Sequence, residues 1–107
     1  MISTKQINQE LRDIRYYYSK QKELDRPTQF IGKTAISKLV EKYNDIIKDA
    51  PVKLYDVYIQ LYVNNNTQVA LSYDWDCTTD YVKKLNGQLV KYLKEKLDKG
   101  EIHNESA

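Results

Sequence analysis

Residues 68–90 have the sequence QVALSYDWDCTTDYVKKLNGQLV, in which apolar and small side chains fall at the spacing of two helices joined by a tight turn. With Gln68 as the first of twenty positions, the core positions four, eight, ten, fifteen and eighteen hold Leu71, Trp75, Cys77, Val82 and Leu85. The fifth position, where the helices cross, holds the small residue Ser72, and the ninth, the turn position, holds Asp76. This pattern predicts a helix-turn-helix.

Two residues between the helices suit a turn. Asp76 occupies a position that often takes positive φ, where glycine is commonest and Asp and Asn are the next best tolerated residues. Thr78 is a good N-cap, because its hydroxyl can accept a hydrogen bond from a backbone N–H of the first helical turn. We therefore expect the second helix to begin directly after Thr78.

The second helix has an inward and an outward side. Helical spacing places Thr79 inward with Val82 and Leu85, whereas Asp80 is expected to serve the helix N-terminus. A recognition helix inserts its N-terminal half into the major groove, where Thr and Lys contact base edges and phosphates. The predicted DNA-binding residues are Thr78, Thr79, Lys83, Lys84, Gly87 and Lys91. The alternative is an ordinary helix pair in a bundle, with a solvated lysine face.

Two further features of this helix bear on that prediction. Gly87 lies in mid-helix, where glycine costs about 1 kcal/mol relative to alanine. It is therefore expected to permit close approach of a neighbouring helix or of the DNA backbone. Lys94, Lys96 and Lys99 are expected to continue the basic side begun by Lys91, and to make binding sensitive to salt.

Three helical patterns precede this pair. Ser3 and Gln6 fit a capping box, followed by an apolar stripe from Ile7 to Tyr18 that ends before Pro27. A second pattern spans residues 36–47 and stops at Pro51. A third spans residues 54–62 and is closed by three asparagines. The chain is therefore predicted to be an all-α domain of five helices, with a helical hairpin in 1–50, a buttress helix and the helix-turn-helix in 51–97, and a disordered tail in 101–107.

The N-terminal helices are expected to meet a partner. Three consecutive tyrosines cannot all face one core, because successive helical residues are about 100° apart. An exposed tyrosine beside arginine can stack on a partner or reach a phosphate. We therefore predict a partner site of Tyr16, Tyr17, Arg12 and Arg15. The apolar stripe of the first helix either packs within the chain or forms the seam of a homodimer.

Composition bounds the function. Only 3 Gly and 2 Pro interrupt the 107 residues, which argues against a sandwich or barrel. One cysteine, Cys77, excludes an intrachain disulfide and a thiolate metal cluster, and the one histidine, His103, lies in the polar tail. We predict no enzymatic activity, no cofactor and no metal. The longest uncharged stretch contains residues 64–68, all polar, and no secretory signal is evident, so we expect a cytoplasmic chain without a membrane span.

The segment LYDVYIQLYVNNNTQVALSYDWDCTTDYVKKLNGQLVKYL, residues 54–93, resembles region 4 of bacterial sigma factors. It is more similar still to small sigma-like phage regulators of the ArpU and RinA type, in which a Tyr-rich helix precedes the motif. The resemblance implies that the motif binds promoter DNA and that transcription of phage or autolysin genes rises. The turn residues Trp75, Asp76 and Cys77 depart from the usual small or glycine residues.

These observations favour a sequence-specific DNA-binding transcriptional regulator of phage or prophage origin, with double-stranded DNA and RNA polymerase as partners. The formal net charge of +2 is small for a nucleic-acid binder. The alternative is therefore a helical interaction module that binds RNA polymerase or a host factor without touching DNA. A small packaging-terminase subunit is a third hypothesis, although its DNA-binding part usually comes first in the chain.

Overall fold

The computed structural model describes residues 2–24 and 35–106, with side chains for 2–21 and 35–99. Five α-helices occur in these ranges, α1 (Thr4–Leu24), α2 (Ala35–Ile47), α3 (Val52–Tyr58), α4 (Gln68–Asp74) and α5 (Thr79–Ser106), with a π-helical segment (Ile59–Val63) directly after α3. No strand occurs in the same ranges, which confirms the predicted all-α class. The helix end predicted at Pro27 lies outside the described residues.

Helix α5 is the centre of the packing, since it contacts each of the other four α-helices. Its buried side consists of Val82, Leu85, Leu89, Val90, Leu93 and Leu97. Apart from Val90, which adjoins Leu89, these residues recur at intervals of three and four, so they form one stripe along the helix. Burial of each such side chain contributes about 1.5–3 kcal/mol, and no other helix of the described chain contributes as many residues to the core.

Helix α1 packs more widely than a hairpin requires. It contacts the π-helical segment and α5 as well as α2, and its stripe residues Ile7, Leu11 and Ile14 are fully buried. The N-terminal helices and the C-terminal helix pair therefore share one core. The stripe of α1 packs within the chain, which is the first of the two predicted alternatives, and the homodimer stays a prediction.

The start of α1 forms half of the predicted capping box. Ser3 Oγ accepts a hydrogen bond from the Gln6 backbone N–H at 3.1 Å. The Gln6 side chain turns instead to Glu10, donating from Nε2 to Oε2 at 3.2 Å. Ahead of this turn, the Ile2 backbone N–H donates to Asp98 Oδ1 at 3.0 Å, which fastens the amino end of the chain to α5.

The third helical pattern ends in a way that the sequence did not predict. Its last turn is π-helical, closed by a bond from the Asn64 N–H to the Ile59 carbonyl at 2.8 Å. Asn65 then takes a left-handed conformation with φ of 59°, which asparagine tolerates better than most residues. Arg15 donates to the Asn65 carbonyl at 3.3 Å, and Asn65 Nδ2 donates to the Arg15 carbonyl at 3.1 Å. This reciprocal pair fixes the turn against α1.

The C-terminal end also differs from the prediction. Residues 101–106 continue α5 as helix, where a disordered tail was expected, and Ala107 lies outside the described residues. Extending an existing helix adds one hydrogen bond for each residue fixed, so a polar sequence can continue it. The polar composition of the tail alone was therefore a poor guide to its conformation.

Several tyrosines tie the helices together through their hydroxyl groups. Tyr43 donates to Glu10 Oε1 at 2.6 Å, Tyr62 donates to Asn86 Oδ1 at 2.6 Å, and Tyr92 donates to the Ile46 carbonyl at 3.2 Å. Burial raises the pKa of Tyr43, and the bond to Glu10 raises it further. Tyr58 is also fully buried, but its hydroxyl has no hydrogen-bond partner in the described part of the chain.

Tyr43 and Tyr58 provide a matched pair of substitutions. We expect Tyr43→Phe to lower the free energy of unfolding by about 1–2 kcal/mol, because it removes a hydrogen bond to a charged group. Tyr58→Phe removes only an unsatisfied hydroxyl, so the free energy of unfolding should be unchanged or higher by up to about 1 kcal/mol. Urea denaturation at neutral pH measures both. Equal losses in the two variants would contradict these assignments.

Candidate nucleic-acid interface

The segment joining α4 to α5 has the local chemistry that its sequence predicts. Asp76 has a φ of 52°, which confirms the predicted left-handed turn position. Thr78 Oγ1 accepts from the Tyr81 N–H at 3.1 Å, which confirms it as the N-cap of α5. Thr67 caps α4 in the same way, accepting from the Ala70 N–H at 3.0 Å. Both helices of the pair therefore begin at capped positions.

The two helices share the predicted small core. Leu71, Val82 and Leu85 are buried. Ser72 is buried as well, and its hydroxyl lies 3.3 Å from that of Thr79 across the helix crossing. Trp75 and Cys77 are only half-buried and pack at the edge of the core. The small residue at the fifth position thus permits the close contact that the pattern requires.

The outward side of α5 carries exposed lysines. Lys83, Lys84 and Lys91 are exposed, and none has a hydrogen bond or ion pair with the part of the chain that the structure describes. Asp80 is exposed in the first turn of the same helix, as expected for a residue serving its N-terminus. Because the opposite side of α5 is buried in the core, these lysines cannot turn inward without unpacking the fold.

Thr78 and Thr79 are less available for contact with DNA than the sequence suggested. Thr79 is half-buried and its hydroxyl lies at the helix crossing beside Ser72, so it is less accessible than Thr78, and its contact with a groove stays a prediction. Thr78 is exposed, and its oxygen is already an acceptor in the N-cap. A capping hydroxyl retains its own proton, so Thr78 can still donate to a phosphate.

Gly87 faces open space. A Cβ built on this residue meets no atom within 4 Å beyond its own helix and chain neighbours. The expectation that it permits close approach of a neighbouring helix is therefore wrong for the described chain. Its other predicted role, close approach of a DNA backbone, stays a prediction.

The basic side of α5 is shorter than predicted. Lys94 donates to Asp98 at 3.1 Å. Lys96 lies over the Tyr92 ring, with its nitrogen 5.6 Å from the ring centre. Residues two apart in a helix point about 200° apart, so Lys94 and Lys96 cannot belong to one face. Lys99 is exposed but lies beyond both of these residues, so Lys83, Lys84 and Lys91 are the lysines in the N-terminal half of this helix that keep the predicted role.

The four residues of the predicted partner site on α1 separate into two kinds. Tyr16 is 64% exposed and Arg12 is exposed. Tyr17 is half-buried and packs edge-on against Tyr18, with ring centres 5.3 Å apart. Arg15 is held by Asn65. Tyr17 and Arg15 thus have contacts within the fold, whereas Tyr16 and Arg12 are exposed, and the partner surface itself stays a prediction.

Other kinds of site are not supported by the described residues. No group of three or more His, Cys, Asp or Glu side chains that could hold a metal ion occurs among them. Within the same residues, no helix is both long enough and apolar enough to cross a membrane. The candidate site is the lysine-bearing side of α5, where Lys83, Lys84 and Lys91 are exposed.

Gly87→Ala tests whether this position has room for a side chain, as its surroundings indicate. We expect the free energy of unfolding to rise by about 1 kcal/mol, because alanine favours the helix and meets no obstacle. Urea denaturation measures the change. The control is Gln88→Ala at the neighbouring exposed position, which adds no side chain to Gly87. A destabilised Gly87→Ala would mean that the position is crowded.

Comparison with known proteins adds nothing to this site. No protein-family model, no curated protein and no solved structure matches the chain. The functional hypothesis therefore depends on the geometry described above and on the sequence resemblance.

Proposed function

We propose that α4, the turn and α5 form a DNA-binding helix-turn-helix, and that the protein is a sequence-specific transcriptional regulator of phage or prophage origin. The observation that carries the proposal is the exposure of Lys83, Lys84 and Lys91 on the side of α5 opposite its buried stripe. Lysines presented by a helix in this way can neutralise phosphates beside a DNA groove. Such a regulator acts where the DNA is, in the cytoplasm.

The residue roles follow from their surroundings. Lys83, Lys84 and Lys91 contact phosphates, and Thr78 donates from the start of the helix to a phosphate or a base edge. Gly87 lets the strand approach the backbone of α5. The resemblance of residues 54–93 to sigma region 4 and to ArpU- and RinA-type regulators supports promoter DNA as the target and RNA polymerase as a further partner.

A second candidate function is a protein-interaction module that does not contact DNA. Val69 and Tyr73, four residues apart on α4, are 55% and 81% exposed. Residues at this spacing lie on the same side of a helix, and exposed aromatic side chains are enriched in protein interfaces. The small net charge of +2 also favours this candidate. Its partner would be RNA polymerase or a host factor.

Titration of a labelled duplex at two salt concentrations tests the DNA-binding proposal. If Lys83 and Lys84 each contact a phosphate, the Lys83→Ala, Lys84→Ala double variant should bind more weakly. The slope of log affinity against log salt should become shallower by about two.

The matched control is Lys38→Ala, Lys42→Ala, which removes two exposed lysines from α2 and changes the net charge equally. It should leave the slope unchanged. Equal slopes for the two double variants would contradict the assigned contacts. If the unaltered protein does not bind the duplex at low salt, the interaction module is the favoured function.

A further inference from the structure

A groove of about 520 Å³ lies beside the lysine-bearing side of α5. One wall is formed by Thr4 and Asn8, from the first turns of α1, and the other by Lys83, Gly87 and Lys91 of α5. The side chains that line it include three lysines and no carboxylate. In a chain with fifteen Asp and Glu residues, an acid-free groove is a local concentration of positive charge.

The lysines of the groove differ in whether a carboxylate neutralises them. Lys94 is paired with Asp98, whereas Lys83 and Lys91 have no carboxylate partner among the described residues. Eight residues separate Lys83 from Lys91, which places their attachment points about 12 Å apart along the helix axis. Two lysines attached at that separation suit two different phosphates of a strand better than one small anion.

The groove also has room and hydrogen-bond donors. Gly87 lies between the two lysines, with open space where a Cβ would be. Across from it, neither Thr4 nor Asn8 has a side-chain hydrogen bond within the part of the chain that the structure describes. A hydroxyl and an amide are common donors to phosphate oxygens. Two ammonium groups, a hydroxyl and an amide that can each donate to phosphate oxygens therefore line the same groove.

We propose that this groove holds the phosphate backbone of bound DNA, and that Thr4 and Asn8 of α1 contact the same strand as Lys83 and Lys91. The inference rests on the proposed function and extends its surface beyond the helix pair to the first helix of the chain. DNA binding then depends on the packing of α1 against α5.

Asn8→Asp tests the contribution of α1, because it adds a carboxylate to the groove without removing a lysine. Repulsion from a phosphate should weaken binding to a labelled duplex at low salt about fivefold, which corresponds to ~1 kcal/mol. Asn44→Asp is the matched control, since it makes the same change at an exposed position of α2. It should bind like the unaltered protein. Thermal melting establishes that both variants fold.

If Asn8→Asp does not fold, Thr4→Glu provides the same test. Thr4 is exposed and begins α1, where a carboxylate interacts favourably with the helix dipole. Thr4→Glu should also weaken duplex binding about fivefold at low salt, by the same repulsion.

The outcomes separate this inference from the proposed function. If Asn8→Asp and Asn44→Asp bind duplex equally while the Lys83, Lys84 double variant binds weakly, the groove assignment is overturned and the proposed function stands. If the unaltered protein does not bind duplex at all, both fail. If inorganic phosphate shifts the amide resonances of Lys83, Gly87 and Lys91 saturably and the duplex does not, the groove is a small-anion pocket and the assignment to DNA is overturned.

Discussion

Burial of one stripe along α5 is the constraint from which the remaining arrangement follows. Val82, Leu89 and Leu93 are fully buried, and the helix contacts all four other α-helices. A helix whose stripe is enclosed in this way cannot rotate about its axis without exposing leucine and burying lysine, and both changes cost free energy. The direction in which Lys84 and Lys91 project is therefore set by the core, although neither residue takes part in it.

Three of the ten tyrosines join helices through their hydroxyl groups. Tyr43 links α2 to α1, Tyr62 links the π-helical segment to α5, and Tyr92 links α5 back to α2. Each ring supplies apolar area, and its hydroxyl makes a hydrogen bond to a polar group of another helix. Burial raises the pKa of Tyr62 above the usual range, so this cross-link remains protonated at neutral pH. A small chain without a disulfide thus gains specific connections between its helices.

The features that could be predicted from the sequence are those fixed by neighbouring residues. The left-handed turn at Asp76 and the cap at Thr78 depend on neighbouring residues alone, and both were predicted correctly. The clamp between Arg15 and Asn65 joins residues fifty positions apart, so the periodicity of α1 could not reveal that Arg15 is engaged. The groove was missed for the same reason, since Asn8 and Lys91 meet only after α1 has packed on α5. The uncharged amide at Asn8, one residue beyond Ile7 on a polar helix side, carries no signal of its own.

The fastening of Ile2 to Asp98 has a mechanical consequence. The backbone bond from Ile2 and the ion pair with Lys94 hold the pKa of the Asp98 carboxyl below its usual range, so the attachment is at full strength at neutral pH. From Asp98 to Thr79, α5 extends about 28 Å as one uninterrupted rod. Val82 and Leu85 hold the other end of this helix in the core, so the bond from Ile2 adds a second restraint about four turns away. The opening residues of the chain therefore help to immobilise a helix whose exposed lysines are distant from them in sequence.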